Sequence, residues 1–172
     1  MTPVEFYFDF ASPYGFIAAM QIDAIARPVT WRPFLLGAVY KTFGQSPLEH
    51  PLKKNYVLEA DAPRVARRIG LQLEVPAGFP EHALAPSRAF YWIEEQDPAN
   101  AVAFAKLAYR KYWLEGCATS DAAVAADAAV AVRLRSSRRA GWHAGRPHQG
   151  AAGRGERGRH PQGRVRVAVL PG

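Results

Sequence analysis

Val4-Glu5-Phe6-Tyr7-Phe8-Asp9-Phe10-Ala11-Ser12-Pro13-Tyr14-Gly15 joins two local patterns in one run. Val4, Phe6, Phe8 and Phe10 alternate with Glu5, Tyr7 and Asp9. A period of two with aromatic and β-branched residues predicts a strand. Ala11-Ser12-Pro13 ends it. Serine is a favoured N-cap, and a first-turn proline forfeits no hydrogen bond. A helix is therefore expected next, with Phe16, Ile17, Met20, Ala24 and Ile25 on its buried side. A helix start offers free N–H groups and the positive end of the dipole. A hydroxyl held there can stabilise an anion, a thiolate included.

Ser12-Pro13-Tyr14-Gly15 stands where a thioredoxin-fold protein carries Cys-x-x-Cys. The run from Phe6 to Tyr14 resembles the 2-hydroxychromene-2-carboxylate isomerases. These are relatives of the kappa-class glutathione transferases, in the DsbA-like branch of the thioredoxin superfamily. The likeness is looser from there to about residue 120, and stops beyond it. It implies that Ser12 is the catalytic residue, touching the sulfur of glutathione, with Pro13 and Tyr14 beside it in the cofactor site. The plain alternative for Ser12 is a helix cap.

The chain of 172 residues is long enough for one domain with a real core. No charged start is followed by an apolar run, so no signal peptide is expected, and no stretch approaches a transmembrane length. Cys117 is the single cysteine, which argues against a dithiol redox enzyme and reads as a structural thiol. The net charge of +7 is unevenly spread. Residues 1–132 hold 12 basic and 14 acidic side chains, a net of −2. Residues 133–172 hold ten arginines and one acid, Glu156, a net of +9.

Val29 to Leu36 is the second strand candidate, completing a βαβ unit, and Pro33 suggests a strand edge or end. Gly37 to Gly44 leads into a polar loop. The resemblance implies a substrate-facing lysine here, which makes Lys41 a candidate for the substrate carboxylate, against a solvated loop lysine. It implies the same for Lys53 and Lys54, against a solvated basic face, and places Phe79 near the substrate, against ordinary core packing. Asp61 and Arg64 form an i, i+3 pair with a structural role, and Pro63 divides this region into two helical pieces. An aromatic-faced helix opens at Ala85 and is broken at Pro98-Ala99-Asn100. A second runs from Ala101 to Leu114, with Val102, Ala105, Leu107, Ala108 and Trp113 available for burial. Ser120 caps a further helix.

The family's second half, a cis-proline loop reading Gly-Val-Phe-Gly-Ser-Pro-Phe-Phe and then a hairpin, is not found in the remaining text. One permitted coding of Gly163 to Gly172, moved forward by one base, reads Gly-Val-Phe-Gly-Ser-Pro-Phe-Phe-Leu. The tail thus looks frameshifted, and the nucleotide sequence decides it. Its arginines suggest weak, non-specific polyanion binding at most, since no folded motif frames them. His143, His148 and His160 lack metal-site spacing, so no metal site is expected.

The expected architecture is α/β: an incomplete thioredoxin-like fold with a helical insertion domain and a disordered C-terminal tail. Its parts are a βαβ half over residues 1–45, a helical domain over 46–132 and an Arg/Gly-rich tail over 133–172. The function implied by the resemblance is a glutathione-dependent cis–trans isomerase acting on a small aromatic molecule in the cytoplasm. Loss of the cis-proline half impairs it. A homodimer is expected of the intact family fold, and neither a membrane nor a specific nucleic acid is an expected partner. The alternatives are a kappa-like glutathione transferase and non-enzymatic polyanion binding through the tail.

Overall fold

The computed structural model describes residues 2–44 and 49–144, with backbone alone from residue 134. The expectations for residues 145–172, including the strand-like run at Arg164 to Leu170, lie outside the described residues.

The opening alternation forms β1, Val4–Phe8, which pairs in parallel with β2, Val29–Pro33. Among the described residues the sheet has these two strands. The register sets Phe6 against Trp31 and Phe8 against Pro33. Pro33 closes its strand, as a residue without an N–H must, and the Phe34 N–H makes the last rung to the Phe8 carbonyl at 2.9 Å. Phe6, Phe8 and Trp31 share the buried face, while Tyr7 is exposed. Between the strands lies α1, Pro13–Gln21. A 3₁₀ turn at Ile22–Ala24 follows it and rotates Ile22 into the core, so Ala24 and Ile25 are exposed instead of buried.

Gly37 to Gly44 is helical, not loop: α2 spans Leu36–Phe43. Gly44 ends it at φ 64°, and its N–H returns to the carbonyls of Tyr40 and Lys41. A left-handed glycine after a short amphipathic run is the usual C-terminal signal.

The Pro63 region is helical throughout. α3, Pro51–Asn55, passes through a wide π turn at Tyr56–Asp61 into α4, Ala62–Arg68. The Ala62 N–H bonds the Val57 carbonyl five residues back. Proline lacks the N–H that an α-helix spends and crowds the preceding turn. Widening that turn accommodates it without a break.

α5, Leu84–Glu94, and α6, Pro98–Glu115, pack over the aromatic face of the strands. Phe8 meets Phe90 and Tyr109 edge-on or tilted, each at 5.8 Å between ring centres. The two helices are interrupted just before Pro98, as expected, but the second begins at Pro98 instead of Ala101, because the Asp97 carboxylate accepts from the N–H groups of Ala99 and Asn100. The buried side of α6 is more aromatic than the expected one: Phe104, Tyr109 and Tyr112 join Ala105, Ala108 and Trp113, while Val102 and Leu107 are only half-buried.

α7 spans Ala122–Ala144, so the change of composition at residue 133 falls inside a helix. Its first turn is capped by Asp121, whose carboxylate accepts from the Ala123 N–H at 2.8 Å. Ser120 donates instead to Glu81, through both its N–H and its hydroxyl.

Candidate active site

The turn after β1 is held by five hydrogen bonds. The Ser12 N–H donates to the Asp9 carbonyl, and the Phe16 N–H to the Ser12 carbonyl, both at 2.9 Å. The Ser12 hydroxyl oxygen accepts from the Gly15 N–H at 3.1 Å. Ser12 is therefore a true N-cap, in extended backbone ahead of Pro13 at the first helical position. Its oxygen accepts inside the turn, so its own hydrogen remains for a donor role. Tyr109 completes the support by donating its hydroxyl to the Asp9 carbonyl at 2.9 Å. Trp113 donates its indole N–H to the Phe10 carbonyl at 3.0 Å. A Cβ on Gly15 would stand 2.7 Å from the Tyr109 hydroxyl oxygen, so a glycine is needed for this approach.

Asp9 was expected on the polar, outer side of the strand. It is 6% exposed, because β1 ends at Phe8 and the chain turns the carboxylate inward. One oxygen accepts from the Ala11 N–H at 2.8 Å, the other from the Leu36 N–H at 2.6 Å. Burial pushes its pKa up from the ordinary value, against the pull of these two N–H groups and of His82.

Asp9 and Ala11 form part of the wall of a cavity of about 740 Å³. The opposite walls come from α2, with Leu36, Tyr40 and Lys41, and from the loop before α5, with Phe79, Glu81 and His82. The volume lies in the range of small-molecule sites. Phe79 is half-buried and tilts against Trp113 at 5.7 Å, so it serves the core and the cavity together. Its bond to Pro80 is cis. Lys41 is exposed at the rim.

The other expected residues are placed differently. Ser12 is half-buried and adjoins the wall through Ala11 without being part of it. Pro13 is buried. The Tyr14 hydroxyl donates to the Asp61 carboxylate at 2.5 Å, and Arg64 donates to its other oxygen, also at 2.5 Å. The i, i+3 pair is thus present and extends across to α1. Donation from Tyr14 holds Asp61 below its ordinary pKa first of all, with Arg64 second. Burial, then that hydrogen bond, raises Tyr14. Lys53 is exposed and Lys54 half-buried on α3, and neither lines the cavity.

Asp9, Tyr40 and His82 were not singled out from the sequence. Asp9 had a signal, an acid directly before a capping turn. His82 had none. Cys117 is half-buried and free, and its N–H bonds the Lys111 carbonyl beyond the left-handed Gly116. No group of three or more His, Cys, Asp or Glu side chains suits a metal ion among the described residues. No helix among them is long and apolar enough to cross a membrane.

Residues 3–141 match the family model of the DSBA-like thioredoxin domain. The chain belongs to this family. Its βαβ unit, with Ser12-Pro13-Tyr14-Gly15 at the turn into α1, and the helices stacked on it lie within the matched residues. A curated relative, 2-hydroxychromene-2-carboxylate isomerase of Pseudomonas putida, is 28% identical over 121 residues. That match takes in 67% of this DSBA-like chain and 58% of the relative, so the chain spans little more than half of the relative's length. A solved structure of a 2-hydroxychromene-2-carboxylate isomerase superposes with a TM-score of 0.60 at 24% identity, over 83% of this chain and 75% of that one. At that identity the superposition speaks for the fold.

Proposed function

We propose that this DSBA-like protein is a glutathione-dependent cis–trans isomerase of the 2-hydroxychromene-2-carboxylate type, with turnover well below that of a complete family fold. The observation that carries the reading is the Ser12 hydroxyl at the N-cap of α1, one residue from the cavity wall at Ala11. Glutathione fits that position because the hydroxyl hydrogen is free to meet a sulfur while the oxygen is already satisfied by Gly15. When bound, glutathione supplies a thiolate that adds reversibly to an unsaturated carbon, so that a double bond becomes single and can rotate.

The protein's part is to keep the sulfur ionised and the aromatic acid oriented. Ser12 donates to the sulfur. The α1 dipole favours the thiolate, and each unit of pKa it removes is worth about 1.4 kcal/mol. Lys41 takes the substrate carboxylate at the rim, and Phe79 offers a ring face to the aromatic part. Lys53 and Lys54 play no part in this arrangement. A single cysteine suits a reducing cytoplasm. The reduced turnover rests on the sequence: the text of residues 133–172 departs from the family's, in which a cis-proline loop would supply the backbone side of the glutathione site.

The experiment is glutathione-dependent conversion of 2-hydroxychromene-2-carboxylate by the purified full chain, followed by ultraviolet absorbance. Weak conversion that needs both glutathione and Ser12 supports the reading. Conversion that proceeds equally without glutathione, or in Ser12→Ala, overturns it.

A further inference from the structure

We propose that Asp9 is a positioning residue, the joint that fixes the cavity wall on α2 against the loop that presents Ser12. Its place in catalysis rests on the isomerase reading above. Its place in the architecture does not.

The two oxygens of Asp9 are spent on two different segments. One holds Ala11, the residue before Ser12, and the other holds Leu36, the first residue of α2. The same residue's carbonyl takes the Ser12 N–H and the Tyr109 hydroxyl. α2 lacks any other cap: its N-cap Leu35 has no side-chain hydrogen bond, and no acid lies in its first turn. Asp9 therefore supplies, from 27 residues away, the acceptor that local sequence fails to provide. α2 buries no residue of its own, so little else fixes its angle. Tyr40 and Lys41 ride on that helix and form one side of the cavity.

A carboxylate suits this work because it is acceptor-only. An amide or a protonated acid presents a donor on one side, and two of the facing groups are N–H donors. The ionised form is an expense to the fold, since burial outweighs its hydrogen bonds. Groups kept ionised against such a bias concentrate at functional sites. The charged or titratable groups facing Asp9 are His82 across the cavity, Tyr40 on α2, and Tyr109 and Tyr112 on α6. Lys41, Glu49 and Glu81 share its cavity.

The test is an amide-resolved NMR titration of the full chain from mildly acidic to neutral pH, with Asp9→Asn alongside. The Ala11 and Leu36 amides are expected to move with one shared midpoint above the ordinary aspartate value, and the Tyr40 and Lys41 amides to move with them. Asp9→Asn abolishes that shared transition and displaces the α2 signals at every pH. In turnover, its KM for the aromatic substrate rises about tenfold while kcat stays within about twofold, the size of one lost charge-assisted bond. The KM of the wild type rises towards acid and that of the variant stays flat. Independent midpoints for Ala11 and Leu36, or unmoved Tyr40 and Lys41 signals, overturn the proposal. The titration needs no substitution to be informative. A wild-type chain with no turnover defeats the isomerase reading and leaves the NMR result to decide Asp9.

Discussion

The Tyr109 hydroxyl donates to the main-chain oxygen of Asp9, joining the end of β1 to a helix 100 residues further along the chain. Around this bond sit the Gly15 Cα on one side and the aromatic rings of Phe8, Phe10 and Phe16 on the others. The opening turn is therefore a tertiary object, held from α6 as much as from its own residues.

Removing that bond has a readable cost. Tyr109→Phe leaves the Asp9 carbonyl with the Ser12 N–H alone and is expected to lower stability by about 1–2 kcal/mol. Gly15→Ala forces a methyl against the same hydroxyl and is expected to cost about 1–3 kcal/mol. The two are not additive: with the hydroxyl gone, the methyl loses its closest clash and keeps only the 3.2 Å approaches to the Asp9 carbonyl oxygen and the Ser12 Cβ, so the double variant is more stable than the sum of the singles implies. Urea denaturation of the four proteins measures this, and strict additivity would show that Gly15 and Tyr109 do not meet.

Asp61 sets an acid limit on stability. Its folded pKa lies below the unfolded value, because the ionised form accepts from Tyr14 and Arg64. Such a group adds stability above its unfolded pKa and loses it as pH falls through the folded one. The urea midpoint of the wild type should drop as pH falls from about 4 downwards. Asp61→Asn should start lower at neutral pH and show a shallower drop. Asp9 acts in the opposite sense: its raised pKa means that its share of stability declines as pH rises from the ordinary value to the folded midpoint. Asp9→Asn therefore loses that decline, which urea midpoints at closely spaced pH values resolve.

The reading frame of the tail is decided by its bases. The coding of Gly163 to Gly172 is expected to give Gly-Val-Phe-Gly-Ser-Pro-Phe-Phe-Leu when advanced by one base. A chain expressed from the corrected frame should gain glutathione-dependent turnover over the present one. Codons that cannot be advanced to that text would remove this explanation for the departure from the family.

Much of the opening was legible because its causes are local. The alternation from Val4, the cap at Ser12, the proline at 13 and the strand end at Pro33 each follow from side chains within a few residues. The site was less legible. Asp9 looked solvent-facing because its period is that of the strand, yet its burial is imposed by Leu36 and Tyr109, which no local pattern reveals. α2 carries weak helix signals in its sequence, because glycine brackets it and its N-terminus has no capping side chain of its own. Pro63 suggests two pieces because the remedy, a wider turn just before it, has no signature in the local sequence. Lys53 and Lys54 carried a role by analogy in the family. They lie outside the cavity wall because α3 presents them elsewhere.

The most direct measurement separates the two duties of Ser12, capping α1 and meeting sulfur. Glycine is nearly as good a cap as serine, so Ser12→Gly should cost only about a few tenths of a kcal/mol in urea denaturation. This folded variant is expected to show no glutathione-dependent conversion of the chromene above background. Conversion at the wild-type rate in Ser12→Gly would contradict this, because the hydroxyl would then be nothing more than a cap.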